Sequence, residues 1–159
     1  MSGDGFAVLL DDLRRVLEAS GLGVRLVRRD GTEIWVGCVL KTDDVLLMAD
    51  SENELRLAYG ILKAWAFQFR FDLSYQKHEL LRTCLVGDSW AGRTVHWRWT
   101  PGELAPYVQS RPRLAEYDLA PETYTYKSSV LYLGCLVDES LDADVSVREK
   151  LAAPESAWN

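Results

Sequence analysis

The stretch from Asp88 to Pro101 holds the residue types of this chain that are best suited to chemistry or binding. Its fourteen residues include three of the six tryptophans, two arginines and one of the two histidines. An extended chain places alternate side chains on opposite faces. The two predicted faces of this strand are Val95, Trp97 and Trp99, expected to be buried, and Thr94, His96 and Arg98, expected to be exposed.

Asp88, His96 and Arg98 suit an acid–base group with an anion-binding arginine. A histidine exchanges a proton near neutral pH, Asp88 would be its partner, and Arg98 would hold a substrate carboxylate through two parallel hydrogen bonds. The alternative is a polar row on the solvent-facing side of an antiparallel sheet. We favour this alternative, so that His96 and Asp88 are catalytic candidates only if the chain is an enzyme.

Ser89 lies in Gly87-Asp88-Ser89, a triplet found around nucleophilic serines in more than one class of hydrolase. Such a serine needs a histidine to take its proton and, in most cases, a carboxylate to orient that histidine. No histidine follows His96, and Trp90 and Ala91 stand where trypsin-like enzymes have two glycines. A turn or capping role for Ser89 is therefore expected.

Another group of residues suits binding. The chain has a net charge of −6, yet the segment from Arg93 to Arg113 contains four arginines against one glutamate. Tryptophan and arginine are enriched at the energetic centres of protein interfaces. The sequence therefore predicts a binding surface that draws on Trp90, Arg93, Arg98, Trp35 and Tyr107.

The composition disfavours several other kinds of site. A net charge of −6 argues against binding to nucleic-acid backbones, which depends on excess lysine and arginine. His78 and His96 have no carboxylate beside them at helical spacing, so no metal site is expected. The chain lacks a glycine-rich phosphate loop, and no cofactor is expected.

The cysteines and the N-terminal residues bear on the compartment. Cys38, Cys84 and Cys135 lie in apolar runs without Cys-x-x-Cys spacing, which predicts buried, reduced thiols. Reduced thiols are typical of the cytoplasm. The first residues show no basic region followed by an apolar run, and no stretch approaches about eighteen apolar residues. We therefore expect a cytoplasmic protein that does not span a membrane.

Hydrophobic periodicity predicts the first elements. Residues 4–20 form an amphipathic helix that Gly21 ends. Alternating segments then predict a three-stranded antiparallel meander over residues 24–29, 32–40 and 45–49, with a hairpin turn at Asp30-Gly31.

A long hydrophobic helix is predicted to begin at Glu52, because Ser51 and Glu54 have the spacing of a capping box. It runs to Phe69 or Phe71, or ends at Ala66 if the alternating residues 67–73 form a strand. Its cations Arg56, Lys63 and Arg70 recur every seven residues and predict one narrow solvated stripe. Such a helix is central in its domain or covered by a partner. The predicted interface residues are Leu55, Tyr59, Leu62, Trp65 and Phe69.

The later elements are predicted to continue one antiparallel sheet. Residues 74–86 are compatible with a helix or a strand. Residues 93–99 form a strand, a helical turn opens at Thr100 and is limited by Pro106, and residues 123–137 form a strand that enters the core. Residues 1–137 make one α+β domain. Residues 138–159 form an acidic C-terminal segment with six acidic and two basic residues, partly ordered or with a short helix at 145–152.

The predicted order of helix, meander, long helix, strands and acidic segment resembles that of small acidic secretion chaperones and the related YbjN-like domains. The resemblance covers the first seventy or so residues and implies a protein-binding role. We therefore predict a non-catalytic protein-binding domain of chaperone, adaptor or toxin-neutralising type, bound to a protein partner or to itself as a homodimer. The alternative is a small α+β enzyme of specialised metabolism, which binds a small molecule in an aromatic pocket and uses His96 and Asp88.

Overall fold

The fold is mixed α and β, as predicted. A computed structural model describes residues 3–41, 44–83, 87–108, 120–133 and 135–141. Contacts between residues divide the chain into two compact units. Unit 1 comprises Met1–Leu73 and Arg98–Pro121, and unit 2 comprises Ser74–Trp97 and Glu122–Asn159.

Within its described residues, unit 1 contains helices α1 to α3 and two β-hairpins. In chain order its elements are α1 (Gly3–Ser20), β1 (Val24–Val27), β2 (Glu33–Val36), β3 (Cys38–Lys41), β4 (Asp44–Leu47), α2 (Glu52–Phe69) and α3 (Pro101–Val108). β1 pairs with β2 and β3 with β4, both antiparallel, in two separate two-stranded sheets.

The predicted middle strand of the meander is interrupted at Gly37, so the prediction of one three-stranded sheet is wrong. The indole of Trp35 occupies the space that a Cβ atom at residue 37 would need. Gly23 also approaches closely, since a Cβ atom there would lie 2.7 Å from the Cα atom of Gly37. Glycine permits this approach, and the strand divides there into β2 and β3.

The β1–β2 turn lies where Asp30-Gly31 predicts it. The Arg28 amide donates to the carbonyl of Thr32 at 2.8 Å, which leaves a three-residue loop. Gly31 has a φ of 83°, as this loop type requires at its last residue. The Asp30 carboxylate accepts hydrogen bonds from the Thr32 amide and hydroxyl at 2.9 and 2.6 Å, and these bonds lower the pKa of Asp30.

Helix α2 packs against α1, α3 and β4. Ser51 Oγ accepts a hydrogen bond from the Glu54 amide at 3.2 Å, which caps the first turn. The Trp65 indole donates to Asp12 Oδ2 of α1 at 2.9 Å. Residues 67–69 remain helical, and the helix ends at Arg70, whose left-handed backbone lets its amide bond back to the last turn.

The prediction of a solvated stripe along α2 is wrong at Lys63. This side chain is only 4% exposed, because its ammonium group lies 4.6 Å from the centroid of the Trp99 ring and 5.8 Å from that of Tyr59. Aromatic faces attract a cation and also cover its aliphatic stem. Gly60 makes room for this packing, since a Cβ atom there would lie 2.7 Å from Cδ1 of Trp99.

Helix α3 begins as predicted, but the predicted limit at Pro106 is wrong, because the helix continues to Val108. Thr100 and Glu103 form a capping box: Glu103 Oε2 accepts from the Thr100 amide at 2.9 Å, and Thr100 Oγ1 accepts from the Glu103 amide at 3.3 Å. Pro106 lies inside the helix and has no N–H to donate to the Gly102 carbonyl one turn earlier.

The described residues of unit 2 form a short 3-10 helix at Tyr75–Lys77 and five strands. These are β5 (Leu80–Leu81), β6 (Thr94–Trp97), β7 (Glu122–Lys127), β8 (Ser129–Tyr132) and β9 (Cys135–Asp138). The first three form a sheet in the order β5-β7-β6, and β8 pairs with β9. β5 runs parallel to β7, whereas β6 and β9 are antiparallel to their neighbours.

Two predictions for this part of the chain are wrong. The later strands do not share one sheet, and residues 123–137 do not form one strand entering the core. The chain bends at Ser128 and turns again at Leu133, which has a φ of 50°, so the apolar run folds back as the β8–β9 hairpin. Leu131 is consequently 68% exposed.

The cysteines differ from the prediction of three buried thiols. Cys135 is exposed at the start of β9, and Cys38 is half-buried in β3. Burial is the main cause that raises the pKa of the Cys38 thiol. Cys84 lies outside the described residues, as do residues 142–159 with the helix predicted at 145–152. The single domain predicted over 1–137 and the acidic segment stay predictions.

Candidate functional site

A tight turn from Trp90 to Arg93 begins the candidate site in unit 2. The Arg93 amide donates to the Trp90 carbonyl at 3.0 Å, and Gly92 has a φ of 83°, which glycine adopts without strain. The Gly92 amide donates to the Tyr126 carbonyl at 2.9 Å, and the Tyr126 amide donates to the Arg93 carbonyl at 2.9 Å. Two residues of one strand therefore oppose one of β7, which is a β-bulge.

The turn holds Trp90 between a buried tyrosine and two arginines. The rings of Trp90 and Tyr126 meet edge to face with their centroids 5.5 Å apart. The guanidinium carbon of Arg82 lies 3.7 Å from the Trp90 ring centroid, and that of Arg93 lies 4.6 Å from it. Guanidinium groups stack favourably on tryptophan. We call Arg82, Trp90 and Arg93 the Trp90 cluster.

The two arginines of the Trp90 cluster keep their hydrogen-bond donors available. Both are exposed. In the part of the chain that the structure describes, the ion pairs involve Arg14, Arg15, Arg25 and Arg56, and none involves Arg82 or Arg93. Stacking fixes the plane of a guanidinium but leaves its edge donors unused. The cluster therefore presents fixed cationic donors beside a half-buried indole.

Ser89 has the turn role that its sequence context predicts. Its hydroxyl donates to Glu139 Oε2 at 2.7 Å and accepts from the Ala91 amide at 3.1 Å. Both contacts stabilise the chain at the start of the turn that contains Gly92. Neither of these hydrogen-bond partners is a histidine.

His96 lies on the exposed face of β6, as predicted. Its Nδ1 atom hydrogen-bonds to the hydroxyl of Thr123 on β7 at 2.9 Å. Beside this pair, the hydroxyls of Thr94 and Thr125 are 3.3 Å apart. The described contacts of His96 do not include Asp88, and Arg98 belongs to unit 1, where its carbonyl accepts from Arg56 Nη1.

The other predicted binding residues lie in unit 1. The Trp35 indole donates to the Leu22 carbonyl at 2.8 Å and packs over Gly37. Tyr107 is half-buried in α3 and Arg98 is exposed. Of the predicted binding residues, the structure therefore brings Trp90 and Arg93 into contact.

The predicted interface residues belong to α2. Tyr59, Leu62 and Trp65 are 7, 5 and 3% exposed, and Leu55 and Phe69 are half-buried. The apolar surface of α2 is thus covered largely by its own chain.

Arg82 is the residue of the cluster that sequence reasoning missed. It follows β5, and the turn around Gly92 precedes β6. Both elements flank Tyr126, because Leu80 pairs with Tyr126 in the parallel register and Gly92 bonds to its carbonyl. The contact depends on the pairing of β5 with β7, two strands that are far apart in the chain. It could be predicted from the sequence only if that pairing were already known.

Among the described residues, no group of three or more histidine, cysteine, aspartate and glutamate side chains is placed to hold a metal ion. No described helix has the length and apolar character needed to cross a bilayer.

Comparison of the chain with protein-family models, curated proteins and solved structures finds no match. The resemblance in element order to acidic secretion chaperones therefore stays a hypothesis.

Proposed function

We propose that this chain is a non-catalytic protein-binding domain, of chaperone, adaptor or toxin-neutralising type, whose contact surface is the Trp90 cluster. The observation that carries the proposal is the stacking of Arg82 and Arg93 on Trp90, with neither guanidinium in an ion pair within the described residues. A rigid indole beside oriented cationic donors is the combination typical of interface hot spots.

The surface favours a partner with acidic groups. An exposed guanidinium binds carboxylates through two parallel hydrogen bonds, and stacking on Trp90 reduces the side-chain entropy lost when it does so. The −6 net charge of the chain opposes an acidic partner at long range, but this repulsion is screened beyond about 8 Å at physiological salt. Short-range contacts at the Trp90 cluster therefore determine the affinity for the partner.

A homodimer through α2 is not part of this proposal, because the central side chains of that helix are buried within the chain. The enzyme hypothesis is not proposed either, since the described hydrogen bond of His96 goes to Thr123. We also propose a cytoplasmic location, because the three cysteines lie far apart in apolar runs without Cys-x-x-Cys spacing, which is typical of reduced thiols.

Co-purification from the native cell, followed by quantitative mass spectrometry, tests the proposal. The double substitution Arg82→Glu/Arg93→Glu is expected to lower the recovery of a specific protein at least tenfold. The matched control is Arg28→Glu/Arg29→Glu, which makes the same charge change at exposed positions of unit 1. Equal recovery with both double variants would contradict the proposal.

A further inference from the structure

Strand β6 forms one edge of the sheet in unit 2. The order of the described strands is β5-β7-β6, so β7 lies on one side of β6 and no described strand lies on the other. An open edge presents backbone donors and acceptors to which another extended chain can pair.

The register identifies the backbone groups that point outward. The Tyr126 amide bonds to the Arg93 carbonyl, so this pair is hydrogen-bonded, and antiparallel ladders alternate between bonded and non-bonded pairs. The pairs of Thr94 with Thr125 and of His96 with Thr123 are therefore non-bonded. Their side chains touch, as is typical of such pairs.

Residues in non-bonded pairs direct their N–H and C=O groups away from the neighbouring strand. Two amides and two carbonyls, those of Thr94 and His96, consequently point toward the open edge of β6. Arg93 directly precedes this edge, and its stacking on Trp90 keeps its cationic group beside the end of the strand.

We propose that an extended, aspartate- and glutamate-rich segment of a partner protein adds to the open edge of β6 as a further strand. This inference rests on the proposed function and specifies how the partner is recognised. Backbone groups of Thr94 and His96 supply the pairing, while Arg93 binds a carboxylate of the added segment and Arg82, held on the same indole, adds positive charge.

Charge complementarity favours this occupant over a second copy of the chain. A second β6 strand has the sequence Thr-Val-His-Trp between Arg93 and Arg98 and would bring no carboxylate to these cations. An acidic segment meets the same cations favourably. The four-residue length of β6 limits the pairing to a short segment, so the arginines are needed for affinity.

The test uses two fluorescein-labelled octapeptides, one alternating valine with glutamate and one alternating valine with lysine. Fluorescence anisotropy measures their binding to the full chain. His96→Pro removes the outward N–H and is compared with His96→Ala, which removes the same side chain and keeps the N–H. Proline is tolerated on edge strands where the N–H faces away from the ladder, and Val95 before it is already extended.

We expect the glutamate peptide to bind at least tenfold more tightly than the lysine peptide, and His96→Pro to bind it at least tenfold more weakly than His96→Ala. Circular dichroism checks the fold. If His96→Pro does not fold, the pair Thr94→Pro and Thr94→Ala replaces it, because the Thr94 amide also points outward.

The other outcomes separate a failure of strand addition from a failure of the proposed contact surface. No binding of the glutamate peptide at millimolar concentration contradicts the inference, as does equal binding by the proline and alanine variants. If those variants bind equally while Arg82→Glu/Arg93→Glu abolishes binding, strand addition is wrong and the proposed contact surface stands. If the arginine variant binds normally, the proposed surface itself fails. Self-association in sedimentation that His96→Pro abolishes would make a second copy the occupant.

Discussion

Trp90 of unit 2 and Trp99 of unit 1 both lie against basic side chains, but these side chains have different partners. In unit 1 the Trp99 indole donates to the Arg56 carbonyl at 2.7 Å and covers the ammonium group of Lys63. The Arg56 guanidinium donates to Glu103 Oε1 at 2.7 Å and to Asn53 Oδ1 at 2.9 Å. We call Arg56, Lys63, Trp99 and Glu103 the Trp99 cluster.

The two clusters show that the same residue types serve different purposes according to how their donors are satisfied. In the Trp99 cluster the guanidinium is bonded within the chain and only 16% exposed, so it contributes to stability. In the Trp90 cluster the guanidinium groups stack on a ring and retain donors for another molecule. Substitutions in the Trp99 cluster should therefore change the free energy of unfolding, and substitutions in the Trp90 cluster should change the affinity for the partner.

Replacement of the two tryptophans gives the largest expected contrast. Trp99 is 4% exposed, and Trp99→Ala should lower the free energy of unfolding by about 3–5 kcal/mol. Trp90 is only half-buried, and Trp90→Ala should cost roughly 1.5 kcal/mol. Urea denaturation followed by circular dichroism measures both. Equal losses would remove the distinction between the clusters.

The arginines give the next contrast. Arg56→Ala leaves the Arg98 carbonyl and Glu103 Oε1 without the donors that the guanidinium supplies, and it should cost about 2 kcal/mol. Arg82→Ala and Arg93→Ala remove exposed cations that form no ion pair among the described residues, and each should change stability by less than about 0.5 kcal/mol. The same denaturation experiment applies. A large destabilisation by Arg82→Ala would assign that residue a structural role.

Gly60 tests how closely α2 packs on the Trp99 cluster. In Gly60→Ala the new methyl group would lie 2.7 Å from Trp99 Cδ1 and 2.9 Å from Leu104 Cδ2, and overpacking should exceed the gain in helix propensity. A net loss of about 1 kcal/mol is expected. Gly102→Ala in α3 is the control, since nothing lies within 4 Å of a Cβ atom there. It should not destabilise the chain, and thermal unfolding compares the two.

The smallest predicted effect concerns pH. The hydrogen bond from Arg56 is the main cause that lowers the pKa of Glu103, and the Thr100 capping contacts act in the same direction. A carboxylate with a lowered folded-state pKa stabilises the fold above the unfolded pKa of about 4.3, and this contribution is lost as the pH falls through the folded value.

Glu103→Gln should therefore lose less stability than wild type between neutral and strongly acidic pH. The side chain is 39% exposed, so the difference should stay below about 1 kcal/mol. Denaturant titrations at several pH values measure it, with the exposed Glu79→Gln as the control. Identical pH profiles for wild type and Glu103→Gln would show that the Arg56 contact is not formed in solution.

Local sequence signals predicted the helices well. The start of α2 follows from Ser51 and Glu54, because a cap depends only on residues within one turn, and α3 begins at the helical turn predicted from Thr100. The exposed and buried faces of β6 followed from alternation for the same reason. The hairpin turn at Asp30-Gly31 also depends on a short stretch of chain.

The features that sequence reasoning missed depend on residues far apart in the chain. The seven-residue spacing of Lys63 from Arg56 and Arg70 predicts a side chain exposed to solvent. It is buried instead because Trp99, from a distant segment of the chain, packs on it. The break at Gly37 reflects the position of the Trp35 ring. Arg82 reaches Trp90 through the pairing of β5 with β7. Contacts of this kind leave no periodic signal in a single sequence.

Site-specific photocrosslinking in the native cell tests the central claim most directly. Ala91 is exposed within the turn of the Trp90 cluster, and a benzoylphenylalanine placed there should crosslink to a discrete partner protein. The account predicts that Arg82→Ala/Arg93→Ala reduces this adduct at least tenfold without changing the urea midpoint of the purified chain. An undiminished adduct, or an equal adduct from the same probe at exposed Thr32 of unit 1, would contradict the assignment of the Trp90 cluster as the binding surface.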